Sequence, residues 1–403
     1  MKRKITIGIL LAEITLISGY LFYLHSDPII DVSSLNLNTN AEVEKSKKKI
    51  DSTKIHYLEN IPVVYIKDSG YLAGLNHGKL LKQQIQEVVK ILNEDILQSH
   101  TVKGFLIDSY LLQKLKQLDK YIPQIYREEM KGVAEGAEVS YNDIFLINTY
   151  DDLLYLTGCS SIAVSKNDKN QIFFHTRNLD YPIGVLSDKN VIFHYLDKEF
   201  ISVGFPGYIG ALSATNYKGI SLSSHTSTVS ENKTGIPTGI LYRKIMEESE
   251  NITEVESILN DNKRTIGNNL VVSSLHENKV ATFEITAKNV IKISDQDYAI
   301  ATNHFVSSEL SKINRSTPNS VKRYDYLKNF FQDIKNINVD KIKETMSFYD
   351  GNQNDWSSIA NKGTVQSVIF LPEQKIIYVA KGIETPVNKD GYVEYDYSQI
   401  IAE

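Results

Sequence analysis

The chain contains a single cysteine, at position 159, in 403 residues. An intrachain disulfide is therefore excluded, and the fold owes nothing to oxidation. So thiol-poor a chain is compatible with either side of a membrane. The nine histidines are scattered, with no pair at metal-ligand spacing, so no metal site is expected. There is no glycine-rich phosphate cradle and no Gly-x-Ser-x-Gly elbow, and neither a nucleotide nor any other cofactor is expected. An excess of basic charge is missing too. The net charge is −5 and the 44 Lys and Arg residues are spread along the chain, which argues against the electrostatic footprint of a nucleic-acid partner. No internal repeat and no βαβ alternation is visible.

What remains is an ordinary globular composition. At 42% hydrophobic and 23% charged residues, the chain belongs with folded rather than disordered proteins. Its length suits one large domain or two ordinary ones. The N-terminus opens with Met1-Lys2-Arg3-Lys4 and continues in a mostly apolar run, Ile5 to Leu24. That run is long enough to span a bilayer and is also of the kind found in secretory signals. No small-x-small cleavage site follows it. Glu13 near mid-span disfavours a stable anchor, so residues 1–25 read as a signal peptide or a signal-anchor helix. The basic flank predicts the bulk of the chain outside the cytoplasmic membrane, anchored or secreted. Residues 26–54, rich in Asn, Ser and Lys, read as a polar linker.

From about Ile55 the pattern is that of a folded domain. A strand is predicted over Val63–Ile66. A helix is predicted over Lys79–Leu97, with Leu80, Leu81, Ile85, Val88, Val89 and Leu92 at helical spacing. Gly74-Leu75-Asn76-His77-Gly78 precedes it; His77 reads as a packing or turn residue, and the glycines four apart suit close helix packing. Helices are also predicted at Tyr110–Leu118, Tyr121–Ala134 and from Ser140 toward Leu153. After Gly158 the period changes to that of strands. A hairpin is predicted from Ser161–Ser165 and Gln171–Arg177, followed by strands at 191–195, 199–204, 211–216 and 219–224. Helices follow at Leu241–Glu248 and Thr253–Asn260, the latter with a Thr253/Glu256 capping box. Strands return at 270–273, 280–285, 290–293 and 298–301. Two further helices, at about 321–331 and 339–348, precede a hairpin of 365–371 with 376–380. Strands in meander order with helices in pairs predict an α+β fold of antiparallel sheets layered with helices.

The cysteine sits where the pattern changes, in Gly158-Cys159-Ser160-Ser161-Ile162-Ala163-Val164. The sequence continues into His175-Thr176-Arg177-Asn178-Leu179-Asp180-Tyr181-Pro182. A thiol attacks as thiolate and needs a base to take its proton. A free α-amino group, with a reference pKa of about 7.7–8.0, is well matched to that task near neutrality. If the Gly158–Cys159 bond were cut, one residue would supply both nucleophile and base. Gly158, having no side chain, lets the thiol approach its carbonyl. Arg177 keeps its charge and would favour thiolate, and Asp180 can orient the amine or Arg177. Composition alone favours a buried, inert cysteine beside a structural Arg–Asp pair.

These motifs resemble the nucleophile region of the N-terminal-nucleophile amidases. That group includes the choloylglycine hydrolases, acid ceramidase, N-acylethanolamine acid amidase and the penicillin acyltransferases of peptidase family C45. Gly74–Gly78, Thr302-Asn303-His304-Phe305, Ser320-Val321-Lys322-Arg323 and Val365–Phe370 resemble further stretches of the acyltransferase branch, so the resemblance covers about 55–382. It implies a four-layer αββα sandwich, with residues 55–158 forming a helical pro-segment that becomes the small subunit and 159–403 the catalytic core. It implies self-cleavage between Gly158 and Cys159, with the two fragments staying associated. Cys159 would be nucleophile, its freed amine the base, Arg177 and Asp180 positioning groups, and Asn303 an oxyanion donor. Arg323 or Arg315 would be a further site arginine. A second oxyanion donor is expected in or just after Asn216–Thr226. There the strand ends Ser223-Ser224-His225-Thr226 without the usual Asn or Glu, which makes His225 a further candidate. The implied chemistry is hydrolysis or acyl transfer on linear amides of small or lipid-like N-acyl substrates. Two rivals stand beside it: an unprocessed cysteine amidase with His175 or His304 as base, and a membrane-tethered binding protein on the same scaffold.

Overall fold

A computed structural model of the chain describes residues 51–97, 117–154, 158–182, 184–229, 234–293, 297–314, 316–333, 337–351, 356–398 and 400. All lie in one unit, Asn40–Glu403. The predicted signal or anchor at 1–25, most of the linker, most of the 110–118 helix and Arg315 lie outside the described residues. Among the described residues no helix is long and apolar enough to cross a membrane.

The strands form two sheets. The first contains β1 (His56–Leu58), β2 (Ile61–Ile66), β5 (Val191–Tyr195), β6 (Phe200–Gly204), β7 (Ser213–Asn216), β8 (Ile220–Thr226), β9 (Asn268–Ser274), β10 (Lys279–Ile285) and β11 (Val290–Ile293), in that spatial order. The second is ordered β12 (Tyr298–Ala301), β3 (Gly158–Val164), β4 (Phe174–Asp180), β13 (Thr364–Leu371), β14 (Ile376–Ala380), β15 (Tyr392–Asp396). Alternation along the strands sets the layers. In β2, Val63 and Tyr65 join Ile192, Ile201 and Val203 against Val368, Phe370, Ile377 and Val379 of the other sheet. Val64 and Ile66 face the opposite way, into a core shared with α1 (Gly70–Leu80), α2 (Lys82–Leu97), α3 (Gln124–Ala137), α4 (Tyr141–Leu154), α5 (Thr238–Glu248) and α6 (Ile252–Asp261). The far face of the second sheet, through Ile162, Val164, Phe174 and Ile369, packs on Leu327 of α7 (Pro318–Asp333) and on Ile342 and Met346 of α8 (Val339–Met346). The result is the expected αββα sandwich.

Four details depart from the sequence reading. The N-terminal segment is not only helical: β1 and β2 extend the first sheet, and β2 runs parallel to β5, so that sheet is mixed. The Gly74–Gly78 stretch is not a lead-in but lies inside a helix, α1. The second strand of the cysteine hairpin is displaced to Phe174–Asp180, because Asn170 ties the turn to the carbonyls of Ser165 and Ile172. That shift brings Asp180 into the strand. The cap of α6 is Asn251, whose side chain accepts from the Glu254 amide, rather than Thr253; Asn251 has the extended backbone that a cap requires.

α1 and α3 cross at backbone distance. A methyl group on Gly74 would land in the carbonyl of Glu129, and one on Gly132 in the carbonyl of Tyr71. His77, buried on the same helix as Gly74, packs on Phe193 of β5 and accepts the Gly207 amide hydrogen on Nε2 at 3.1 Å. Between the sheets runs a layer of neutral polar groups. His175 Nδ1 meets Ser273 Oγ at 3.0 Å and its Nε2 meets Ser223 Oγ at 2.8 Å. Burial pushes the His175 pKa down to about 3, with the Arg177 charge adding to the effect.

Two predictions follow from these contacts. Gly74→Val should destabilise the chain by about 2 kcal/mol or more through overpacking, read as a lower urea midpoint; an unchanged midpoint would refute the close crossing. For His175, the folded pKa lies below the unfolded value of about 6.5. Its contribution is therefore fully present above that pH and is lost as pH falls toward about 3. The stability advantage of wild type over His175→Asn should shrink by about 2 kcal/mol between pH 7 and pH 5. A pH-independent difference would contradict a buried neutral imidazole.

Candidate active site

The site is built on the β3/β4 pair. Their antiparallel register sets Gly158 opposite Asp180, Cys159 opposite Leu179 and Ser160 opposite Asn178. Side chains alternate, so Cys159 and Arg177 share the face toward the first sheet, whereas Gly158 and Asp180 share the face toward α7 and α8. Cys159 is 1% exposed.

Among the described residues the thiol has one hydrogen-bond partner, Arg177, whose Nη2 stands 3.3 Å from Sγ. The other end of that guanidinium donates from Nη1 to the Leu212 carbonyl at 2.8 Å and to Ser213 Oγ at 2.7 Å. Burial pushes the Cys159 thiol up, while Arg177 pulls it down; Asp180 and Asp151 add smaller upward contributions. Asp151, near the end of α4, accepts from the Tyr181 hydroxyl at 2.6 Å.

The backbone of Cys159 is held separately. Its amide nitrogen donates to Asn303 Oδ1 at 2.8 Å, and Arg323 Nη1 donates to its carbonyl oxygen. Arg323, on α7, also reaches Ser160 Oγ at 2.8 Å, Asn303 Oδ1 at 2.9 Å and Asp180 Oδ2 at 3.7 Å. The Asn303 amide is oriented without ambiguity. Two donors face its oxygen, and Nδ2 donates to the Thr226 carbonyl at 3.0 Å. It is thus the oxygen of Asn303 that meets the Cys159 amide nitrogen.

Asp180 lies beneath the Gly158–Cys159 junction. A Cβ on Gly158 would sit 2.9 Å from Asp180 Oδ2 and 3.0 Å from its Cβ, so the residue before the cysteine must be glycine unless the carboxylate moves. The carboxylate is anchored: Asn361 Nδ2 donates to Oδ2 at 2.9 Å and Thr364 Oγ1 to Oδ1 at 2.7 Å. Burial raises its pKa, opposed first by Arg323.

Cys159, Arg177, Asp180, Asn303 and Arg323 therefore converge on one strand end. His225 does not join them: its Nε2 faces Ser161 Oγ at 2.6 Å and its Nδ1 faces the Asn269 carbonyl at 3.1 Å. Asn216 is likewise used locally, donating to the Met246 and Ser249 carbonyls and accepting from the Ile220 amide. Neither histidine weighed as a base contacts the thiol. The ring nitrogens of His175 are occupied by serines, and His304 Nδ1 faces Thr302 and Ser320. Ser213, Asn361, Thr364 and Gln366 were not singled out in the sequence. The one signal was Gln366, a long polar side chain that shares the mostly apolar run Val365–Leu371 with Ser367. Among the described residues no group of three or more His, Cys, Asp or Glu side chains could hold a metal ion.

Comparison with known proteins adds an independent line. An uncharacterized protein of Archaeoglobus fulgidus is 23% identical over 343 residues, covering 71% of this chain and 57% of the relative. A beta-alanyl-dopamine/carcinine hydrolase of Drosophila melanogaster is 28% identical over 230 residues, 50% of this chain and 57% of the relative. The chain thus spans little more than half the length of these two relatives. A solved structure of a Caenorhabditis elegans N-acylethanolamine-hydrolyzing acid amidase ortholog aligns with 53% of this chain and 93% of that chain, at 16% identity and a TM-score of 0.41. The model of the acyl-coenzyme A:6-aminopenicillanic acid acyl-transferase family matches residues 165–382. That stretch is more than half of the chain and carries Arg177, Asp180, Asn303 and Arg323, and the chain accordingly belongs to this family of acyl-transferases.

Proposed function

We propose that the chain is an enzyme that cleaves or forms linear amide bonds of N-acyl substrates through a thioester on Cys159, after cutting itself between Gly158 and Cys159. The observation that carries this reading is the separate holding of the two functional atoms of one residue. The sulfur of Cys159 is met by Arg177 and its backbone nitrogen by Asn303. A merely packed cysteine needs no arginine at its sulfur, and its buried amide could be satisfied by a backbone carbonyl.

In self-cleavage the sulfur adds to the Gly158 carbonyl carbon as the thiol proton passes to the departing nitrogen. The C–N bond breaks, and water then hydrolyses the resulting thioester to a Gly158 carboxylate and a free Cys159 thiol. In the catalytic cycle the new α-amine takes the thiol proton, and the sulfur attacks the substrate carbonyl. The protonated amine then returns its proton to the leaving nitrogen as the C–N bond breaks. Water or an acceptor amine resolves the acyl-enzyme. Arg177 counters the desolvation that holds the thiol protonated, and Asn303 holds the nitrogen in place before and after the cut. The beta-alanyl-dopamine/carcinine hydrolase activity named for the Drosophila relative, and the acyl transfer named for the family, support the reaction class. Placement outside the cytoplasmic membrane, with membrane attachment through residues 1–25, belongs to the same proposal and rests on the basic flank and apolar run there. Continued association of the fragments is part of it too, supported by the insertion of β2 beside β5.

Wild-type protein expressed from residue 55 should resolve into two fragments on a denaturing gel, and Cys159→Ala should run as one intact band. The fragments together should hydrolyse an N-acyl anilide, with activity falling at least 10³-fold in the alanine variant. An intact, active wild type would contradict self-cleavage. An intact and inert one would contradict the enzyme reading.

A further inference from the structure

Arg177 is a buried cation without a carboxylate partner. Among the described residues no carboxylate oxygen lies within 4.0 Å of it, and its hydrogen bonds go to a carbonyl, a hydroxyl and the thiol. Of these three, only the thiol can take on negative charge. What holds the guanidinium in that aim is a chain of neutral groups whose directions are all determined. Arg177 Nη1 can only donate, so Ser213 Oγ accepts from it and must send its own proton elsewhere, to Gln366 Oε1 at 2.6 Å. The Gln366 amide cannot be flipped, because its Nε2 donates to the Val203 carbonyl at 3.3 Å and to Asn190 Oδ1 at 3.0 Å. Asn190 in turn donates to the carbonyls of Ser187 at 3.1 Å and Val365 at 2.7 Å. Every member is buried. Donation runs one way, from Arg177 to fixed backbone carbonyls, and successive bonds in such a chain strengthen one another.

Strand β13 has the geometry to supply this chain. Its register against β4 shifts by one residue, with Thr364 opposite Asp180 and Gln366 opposite Leu179. In a regular strand, residues two apart face the same way. The bulge instead sends Thr364 to Asp180 on one face and Gln366 to Ser213 on the other. Bulges re-aim side chains in this manner beside active sites.

We propose that Gln366 is a positioning residue, which acts through Ser213 to keep the Arg177 guanidinium directed at Cys159 Sγ. This rests on the amidase reading only for its effect on turnover; the effect on the thiol itself does not need it. A carboxylate in place of Gln366 would give Arg177 an alternative partner, and an apolar residue would leave the Ser213 proton without an acceptor.

The test uses the full chain and its one cysteine, so that alkylation by iodoacetamide reports on Cys159 alone. The rate is measured against pH for wild type, Gln366→Leu, Ser213→Ala and Ser213→Thr, with thermal melting in parallel. Gln366→Leu and Ser213→Ala should each move the midpoint up by about one pH unit, which is about tenfold slower alkylation at pH 7. Ser213→Thr keeps the hydroxyl and should stay within about twofold of wild type. On hydrolysis the first two variants should lower kcat with KM little changed. If Gln366→Leu does not fold, Ser213→Ala against Ser213→Thr carries the same comparison. A lower melting temperature with unmoved midpoints would overturn the proposal, since that is the signature of a structural role. A wild type that neither splits nor hydrolyses amides would refute the amidase reading but leave the midpoint shift as the measure of this one.

Discussion

The contact on which the rest depends is the 3.3 Å approach of Arg177 Nη2 to Cys159 Sγ. It joins a buried cation to a buried thiol in a layer from which water is excluded. Burial favours the neutral thiol, and the Arg177 charge at hydrogen-bond distance, with no carboxylate within 4.0 Å of it among the described residues, opposes it. Such a charge is costly to bury. The fold meets that cost with neutral acceptors, Leu212 and Ser213, in place of an ion pair. A carboxylate at the same place would have neutralised Arg177 and left the sulfur without its one electrostatic aid.

Asp180, the carboxylate that sequence proximity suggested as Arg177's partner, is kept from it by strand alternation. It lies on the other face of β4, beneath Gly158 and beside Arg323. The two arginines therefore divide the work. Arg177 serves the sulfur, while Arg323 and Asn303 hold the backbone of the same residue. This division gives Gly158 its physical meaning. A side chain at 158 would press on a carboxylate fixed by Asn361 and Thr364, so the residue that precedes Cys159 is constrained from below.

Much of this was legible in the sequence, and the rest was hidden for definable reasons. Cys159, Arg177 and Asp180 lie on the two strands of one hairpin, and both the hairpin and the resemblance pointed to them. Asn303 and Arg323 were reachable only through the resemblance, because nothing local distinguishes a site asparagine from a turn asparagine. Antiparallel sheets layered with helices followed from meandering strands and paired helices, and the four-layer αββα order from the resemblance. The strand displacement to 174–180 did not, because Asn170 side-chain bonds extend the turn by an amount that periodicity does not encode. β2 beside β5 is a long-range parallel pairing, and the Val63–Ile66 pattern carries no information about its partner. His225 was a reasonable candidate by position, yet its place two residues further along the inter-sheet face, against Ser161, follows only from the β8 register. Gln366 was visible as a polar residue in a mostly apolar strand. Its role depends on a one-residue bulge, which no propensity reveals.

The central claim is that the nitrogen of Cys159 becomes a free amine. Intact-mass and N-terminal sequence determination of the larger fragment of purified wild-type protein tests it most directly. The account predicts a fragment beginning Cys159-Ser160-Ser161, complementary to one ending at Gly158. A chain that remains whole, or is cut at any other bond, would contradict it.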